Sequence, residues 1–281
     1  SDLLIDKVAK ASGLENCNPS ALPATQVALG KDAGGPLHGN SEFHYPSVAG
    51  MLLYLSNNTR PDICFAVSQV CRFTHAPRKS HATAVKMIVR YLVGTRTKGT
   101  IVRPDKTFSL KVYVDSDFSG LYGREEFTDP DSARSRLGYI ISLGSTPLLW
   151  KSQLISEICL STLHSEYAAL SMSLRSLIPI RNTLLSLLEF MKIKDFPKPT
   201  VHCEAFEDNQ GAYLLANSQR ITTRTKYFCV KLHFFWQFVC DKVRNPLGWL
   251  KVIKCPTDQQ DAGYLTKGLP KPAFEANRKR T

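Results

Sequence analysis

Four short acidic segments follow one another along the last two-thirds of the chain, and each carries a carboxylate at or beside the end of an apolar or helix-like run. The segments are VYVDSD at 112–117, STLHSEY at 161–167, FEDNQGA at 206–212 and PTDQQDAGYLTK at 256–267. Carboxylates gathered from distant segments are the usual means of holding divalent metal ions against a phosphodiester. These residue types in this order therefore indicate metal-assisted phosphodiester chemistry.

The first three segments each have a carboxylate at a position set by a predicted strand or helix. Asp115 ends an alternating apolar strand, and Glu166 lies in the first turn of a helix that Ser161 or Thr162 could cap. Asp208 stands between a strand and the next helix, where an aspartate often serves as the N-cap. Each carboxylate alone has an ordinary structural explanation, since helix dipoles also favour acids in the first turn. Only their order along the chain suggests one shared site.

Composition and charge limit the kind of protein. The 281 residues are 43% apolar and 10% aromatic, which is enough for a buried core in one large domain or two small ones. The formal charge of +12 favours a polyanionic partner, and nucleic acid is the leading candidate because Lys and Arg neutralise its phosphates. Charge alone supports this only modestly.

Cysteine usage and hydropathy suggest an intracellular protein. The eight cysteines form no C-x-x-C motif, which favours a reducing compartment, cytoplasmic or nuclear. No apolar stretch approaches the length of a membrane span, so we expect no membrane partner. Because the first residue is Ser, we expect a processed product or a fragment.

The chain divides into four predicted parts. Residues 1–44 are predicted to form an N-terminal helix and connector, 45–104 a helical segment, 105–270 the main α/β domain and 271–281 a basic tail. Three strands in hairpin order, then helix, strand, helix, strand and helix, predict a mixed sheet covered by helices.

Several element boundaries are specific predictions. Ser80 is a plausible N-cap for a helix that ends at Val93, and the helical segment 162–190 is interrupted by Pro179. A final helix is predicted near 258–266.

The ordered motifs resemble the ribonuclease H domain of copia-type LTR retrotransposon Pol polyproteins. The resemblance is carried by YVDSDFSG (113–120), RSRLGYIISLGSTPLLWKSQ (134–153), LSTLHSEYAALS (160–171), EDNQGAYLLAN (207–217), RTKYFCVKLHFF (224–235) and PTDQQDAGYLTKGLP (256–270). Upstream, YPSVAGMLLYLSNNTRPDICFAVSQVCRF (45–73) and HATAVKMIVRYLVGT (81–95) resemble the reverse-transcriptase thumb or connection segment of the same polyproteins. The similarity as a whole spans nearly the entire chain, from about residue 5 to about residue 270.

The resemblance implies a five-stranded mixed sheet with flanking helices and a specific reaction. That reaction is hydrolysis of RNA in RNA–DNA hybrids, with two Mg²⁺ ions, or Mn²⁺, held by four carboxylates. By motif position, Asp115, Glu166 and Asp208 are the implied catalytic residues and metal ligands. The implied partners are the hybrid, or another nucleic acid, and the polymerase part of the same polyprotein. The family functions in virus-like particles.

The fourth carboxylate position departs from the family motif. The family pattern T-x-x-Q-x-A-D-x-L-T-K becomes T-D-Q-Q-D-A-G-Y-L-T-K, so Gly263 stands where the aspartate is expected. Asp261 is a possible substitute ligand, but on a helix it would lie about 200° around the axis from position 263. We therefore expect impaired activity.

Two other functions remain open from the sequence. One is a catalytically dead nucleic-acid-binding relic, and the other is an unrelated metal-dependent phosphohydrolase on a similar sheet. No Asp-Asp dipeptide occurs, so the chain is not expected to synthesise DNA.

Four basic residues are candidates for phosphate contact, although a solvated basic face explains them almost as well. They are Lys151, Arg224, Lys226 and Lys231. His164 and His233 are weaker candidates for metal or proton-transfer roles.

Overall fold

The computed structural model describes residues 2–31, 35–40, 42–103, 109–123, 129–191, 201–223 and 225–280, with the backbone alone at 229 and 230. This part of the chain begins with four α-helices, and strands and helices follow them. The helices are α1 (Asp2–Ala11), α2 (Tyr45–Asn58), α3 (Cys64–Cys71), α4 (Lys79–Gly94), α5 (Thr162–Met191), α6 (Gln210–Ser218), α7 (Lys226–Leu232) and α8 (Lys271–Arg280). The strands are β1 (Ser109–Asp117), β2 (Arg136–Leu143), β3 (Thr146–Leu154), β4 (His202–Glu207) and β5 (Leu250–Lys254).

The five strands form one mixed sheet in the order β3-β2-β1-β4-β5. Strands β1, β2 and β3 pair antiparallel, whereas β4 runs parallel to β1 and β5 runs parallel to β4. Because β1 and β4 are parallel neighbours, their carboxyl ends meet at one edge of the sheet. This pairing places Asp115, near the end of β1, and Asp208, just after β4, at the same edge.

One face of the sheet packs against α5 and forms the first hydrophobic core. Leu110, Val112 and Val114 alternate along β1 and are fully buried in this core, together with Ala169 and Leu174 of α5. The period-2 alternation of β1 therefore has a direct packing cause, because successive side chains point to opposite faces.

The other face of the sheet packs against the N-terminal helices. Ile140 and Trp150 are buried with residues of α1, α2 and α4 in a second core. The indole Nε1 of Trp150 donates to the carbonyl oxygen of Ser56 at 2.7 Å. On the same sheet face Tyr113 stacks on Phe206, with ring centroids 4.5 Å apart. Helices α1 to α4 are called the helical block below. Buried apolar contacts, and not only chain connectivity, thus join this block to the sheet.

A buried ion pair ties the helical block together. Nε and Nη2 of Arg60 donate to the two carboxylate oxygens of Asp62, each at 2.9 Å. Tyr91 on α4 donates its hydroxyl to Asp62 at 2.6 Å, and Arg60 also donates to the carbonyl oxygen of Thr95. Because every charged group has several partners, this pair avoids the cost of an uncompensated buried charge.

The predicted fold class is confirmed: a five-stranded mixed sheet with flanking helices, preceded by a mainly helical segment. Strand β1 has the predicted residues, and the hairpin order of the first three strands is as expected. The predicted domain boundary between residues 104 and 105 lies outside the described residues. The domain limits remain predictions. The basic tail 271–281 contains helix α8, whose Phe274 packs against Tyr264.

Three local predictions were wrong. Helix α5 continues through Pro179, which is exposed, so that water can satisfy the carbonyl left without its amide partner. Helix α4 begins at Lys79, before Ser80, and the backbone N–H of Arg78 donates to Nδ1 of His81.

The predicted helix near 258–266 is replaced by two short 3₁₀ turns, Thr257–Gln259 and Gly263–Leu265. Between them the side chain of Gln260 donates to the carbonyl oxygen of Val114, which fixes this segment on β1. In the described part of the chain, none of the helices combines the length and apolar character that crossing a bilayer requires.

Gly138 allows the second 3₁₀ turn to approach the sheet, and its substitution should destabilise the fold. A Cβ at Gly138 would lie 2.7 Å from Cβ of Leu265 and 2.8 Å from Cγ2 of Thr266. We expect Gly138→Ala to lower the free energy of unfolding by about 1–3 kcal/mol through overpacking. Gly50 in α2, where a Cβ would meet nothing within 4 Å, is the control. Gly50→Ala should raise stability by about 1 kcal/mol. Equal effects in urea unfolding would contradict this packing argument.

Candidate metal centre

Three carboxylates from distant segments converge at one edge of the sheet. Asp115, Glu166 and Asp208 each offer one oxygen, and these oxygens all lie within 4.8 Å of one another. The side chains of Asp115 and Glu166 are buried, and that of Asp208 is partly buried. The structure therefore brings together the three residues that the sequence selected, although their role as ligands remains a prediction.

The first turn of α5 is fixed against β1, which sets the position of Glu166. Ser161 accepts a hydrogen bond from the backbone N–H of His164 at 3.1 Å, so it caps the helix as predicted. The hydroxyl of Ser165 donates to Ser116 on β1 at 2.8 Å. The second bond ties the helix N-terminus to the strand that carries Asp115.

Asp208 is not the N-cap of α6. Asn209 occupies that position, and its side-chain oxygen accepts from the backbone N–H of Ala212 at 3.0 Å. The interpretation of Asp208 as a helix cap was therefore wrong. Its carboxylate has no capping role and is available to the cluster.

Burial and electrostatic repulsion raise the pKa of two carboxylates of the cluster. Burial, together with the Asp115 and Asp208 carboxylates, raises the pKa of Glu166 to about 9. Burial is also the main reason that the pKa of Asp115 is raised, and the Asp208 and Asp117 carboxylates raise it further.

The cluster fits a divalent cation. The Oε2 atom of Glu166 is buried and has no hydrogen-bond partner. Oxygen ligands of this kind suit hard cations such as Mg²⁺ or Mn²⁺.

Gly263 lies next to Asp115, one of the three carboxylates. A Cβ at this residue would be 4.0 Å from Oδ2 of Asp115. The residue at the fourth position of the sequence motif is therefore adjacent to the first one, and its role in a metal centre stays a prediction.

Asp261, the possible substitute ligand, is not part of the cluster of three. Its Oδ1 accepts from Nε of Arg280 on α8 at 2.5 Å. This pairing agrees with the expectation that Asp261 lies away from the other carboxylates. The predicted cause was its angular position on a helix, and that cause does not apply. Position 261 lies between two 3₁₀ turns, so helical periodicity does not set its direction.

Two residues that the sequence did not single out contact Asp115. The hydroxyl of Thr266 donates to Oδ2 of Asp115, and Nζ of Lys267 lies 3.8 Å from the same oxygen. Both lower the pKa of Asp115 against the effect of burial. The family motif includes the Leu-Thr-Lys sequence at 265–267, which could have pointed to these two residues. Their contact with Asp115, however, depends on the fold.

A cavity of about 310 Å³ is lined by Thr266 and Lys267, the two residues that contact Asp115, and its wall carries positive charge. Arg134 and Arg136 line it as well, together with Asp117 and with Gln69 from the helical block. Lys267 therefore brings one of these cations next to Asp115.

Arg136 is a buried cation of this wall. Its Nη1 donates to Ser68 and Ser152, and no carboxylate of the described residues lies within salt-bridge distance of it. Burial lowers its pKa to about 10, so it still carries its charge at neutral pH.

Curated relatives of the chain come from plant transposons. The chain is 32% identical over 233 residues to the retrovirus-related Pol polyprotein from transposon RE1 of Arabidopsis thaliana, covering 82% of this chain and 14% of that protein. It is 31% identical over 274 residues to the RE2 polyprotein of the same plant, covering 96% and 17%. For the TNT 1-94 polyprotein of Nicotiana tabacum the identity is 32% over 276 residues, covering 96% and 19%.

The chain belongs to the retrovirus-related Pol polyproteins of copia-type transposons. It spans less than a fifth of the length of these three relatives. No protein-family model matches it.

Two solved structures of ribonuclease H1 resemble this Pol homologue weakly. LC11-RNase H1, isolated from compost, has a TM-score of 0.38 and 16% identity, and covers 60% of this chain and 97% of that one. Ribonuclease H1 from Halobacterium salinarum NRC-1 has a TM-score of 0.31 and 10% identity, and covers 57% and 94%.

The predicted nucleic-acid-binding residues of this Pol homologue are not gathered into one described cluster. Lys151 on β3 and Lys226 at the start of α7 are exposed, whereas Lys231 pairs with Glu157 at 2.8 Å. Arg224 lies outside the described residues. Their role in binding stays a prediction.

The two histidines have packing partners. His164 stacks on Phe228 with ring centroids 4.6 Å apart, and His233 stacks on Trp236 at 3.5 Å. Burial lowers the pKa of both rings, to about 4 for His233. Among the described residues, neither histidine belongs to the group of side chains that could hold a metal ion.

The raised pKa of Glu166 predicts that the metal-free protein loses stability as pH rises. The folded state binds this proton more tightly than the unfolded chain, so the contribution is complete below about pH 4.5 and is lost towards about pH 9. In EDTA, the melting temperature should fall between pH 5 and pH 9, and Glu166→Gln should make that fall shallower. Mg²⁺ added at pH 8 should raise the melting temperature. An identical pH slope in the variant would contradict the argument.

Proposed function

We propose that this chain is a ribonuclease H-type nuclease domain that hydrolyses the RNA strand of RNA–DNA hybrids with two Mg²⁺ ions, at a rate reduced by the glycine at position 263. The observation that carries the proposal is the convergence of Asp115, Glu166 and Asp208 to within 4.8 Å. The membership in transposon Pol polyproteins supports it.

In this proposal the three carboxylates hold the divalent ions. Bound ions would supply an activated water and neutralise charge that develops on the leaving oxygen. Thr266 orients Asp115 by donating a hydrogen bond to its Oδ2, which leaves Oδ1 for an ion. Lys267 would bind phosphate, since its Nζ lies 3.8 Å from Oδ2 of Asp115 and carries charge of the required sign. Arg134 and Arg136 line the same cavity as Lys267.

The proposed impairment follows from the missing oxygen ligand. With Gly263 at the fourth position, one ion would lose a carboxylate and bind more weakly. Mn²⁺ could replace Mg²⁺ in the centre, because carboxylate sites bind both ions.

The helical block is proposed to connect this domain to the polymerase part of the polyprotein. Its contribution of Gln69 to the cavity and its packing on the sheet support a role in positioning the nucleic acid.

Restoring the carboxylate at position 263 should accelerate cleavage. With a labelled RNA–DNA hybrid, we expect slow Mg²⁺-dependent cleavage that Asp115→Asn abolishes. Gly263→Asp should be at least about tenfold faster, because it completes the ligand set. Gly263→Ala is the matched control, since it adds the Cβ without the carboxylate. Cleavage that survives Asp115→Asn, or equal rates for the two Gly263 variants, would contradict the proposal.

A non-catalytic nucleic-acid-binding relic is the second candidate function. Gly263 favours it, because the site lacks an oxygen ligand at a position that contacts Asp115. It predicts hybrid binding without cleavage in either Mg²⁺ or Mn²⁺, even in the Gly263→Asp variant.

Lys267 should contribute one phosphate contact to hybrid binding under both candidates. In EDTA, fluorescence anisotropy at several salt concentrations should show that Lys267→Gln weakens binding and lowers the slope of log K against log salt by about 1. Lys251→Gln is the control, because this lysine is exposed on β5. If both variants bind with the wild-type salt slope, the phosphate contact of Lys267 is refuted.

A further inference from the structure

Glu207 is a fully buried carboxylate directly beside the candidate metal centre. It is the last residue of β4 and precedes Asp208. Its Oε1 accepts from the backbone N–H of Asn209 at 2.9 Å, whereas its Oε2 is buried without a hydrogen-bond partner. A buried polar oxygen without a partner is costly, so a missing neighbour is expected there.

The direction of Glu207 follows from the alternation of β4. It shares a face of the strand with Cys203 and Ala205, which are buried in the core beneath α5. Glu166, in the first turn of α5, also has a buried Oε2 without a partner. Two incompletely satisfied carboxylates therefore lie on the same side of the sheet, one on the strand and one on the helix above it.

Electrostatics agree with this placement. The carboxylates of Glu166, Asp208 and Asp115 all interact electrostatically with Glu207. Glu207 thus experiences the same three carboxylates that form the centre.

No cation of the described residues neutralises Glu207. The salt bridges of that part of the chain include none to this residue. Lys254 donates to the carbonyl oxygen of Asp208, and Lys267 lies beside Asp115. A purely structural role at the start of α6 would account for Oε1 but would leave Oε2 unexplained.

We propose that Glu207 is a further carboxylate ligand of the metal centre in this chain, and that its oxygen, supplied from the end of β4, offsets part of the loss of the side-chain oxygen at Gly263. Glu207 lies outside the group of three within 4.8 Å, so it adds to that group from the α5 side and does not replace a member. This inference rests on the proposed function only in requiring that the centre binds divalent cations.

Metal binding by the full chain tests the inference without relying on activity. Isothermal titration with Mn²⁺ and Mg²⁺ would compare the wild type with Glu207→Gln. Removing the carboxylate should weaken binding at least tenfold, as the loss of a metal-site group does elsewhere. Glu204→Gln is the matched control, because Glu204 lies on the opposite face of the same strand. It should bind as the wild type does.

A second substitution checks that the two positions serve the same centre. Adding Gly263→Asp to the Glu207→Gln variant should restore most of the lost affinity. Glu207→Met, which keeps a chain of similar length without a carboxylate, should reproduce the loss if the glutamine variant does not fold. Circular dichroism in EDTA would show that each variant is folded.

Asp208→Asn separates failure of this inference from failure of the proposed function. If the wild type binds Mn²⁺, Asp208→Asn weakens binding and Glu207→Gln does not, then the centre exists and Glu207 is not its ligand. If the wild type and Asp208→Asn both fail to bind either ion, the proposed metal-dependent function is overturned together with the inference.

Discussion

The mutual repulsion of carboxylates at one edge of the sheet is the constraint on which the rest of the structure depends. Asp115 and Glu166 are buried and lie close to Asp208, although water would stabilise their charges far better than the protein interior does. The fold keeps them together because two hydrophobic cores hold the sheet from both sides. The hydroxyl of Thr266 and the ammonium group of Lys267 offset part of the repulsion, and a divalent cation would offset the rest.

The two packed faces of the sheet give the site two different sets of neighbours. On the α5 side, Ser165 bonds to Ser116 and places Glu166 near the end of β1. On the opposite side, the segment after β5 crosses the sheet over Gly138, where no side chain obstructs it. This crossing brings Gly263 and Lys267 to Asp115. The three carboxylates therefore lie between the layers, and both layers contribute groups that contact them.

Gly263 and Glu207 have opposite effects on the number of carboxylates near Asp115 and Asp208. The glycine next to Asp115 has no side-chain oxygen, whereas the buried Glu207 at the end of β4 places an additional carboxylate next to Asp208. Asp261 does not compensate, because Arg280 of α8 binds its carboxylate. The helix in the basic tail thus pairs with Asp261 through Arg280.

The sequence by itself determined the sheet, the order of its strands along the chain and the three carboxylates. Alternation in β1 and the N-cap at Ser161 are local signals, and the motifs identified the Pol family. Only the tertiary structure decided which remaining polar groups face the centre. The contact of Lys267 with Asp115 and the burial of Glu207 depend on long-range strand order and packing, which no local pattern encodes. The continuity of α5 through Pro179 was likewise decided by an exposed helix face. The 3₁₀ turns around Asp261 were decided by a hydrogen bond from Gln260 to β1.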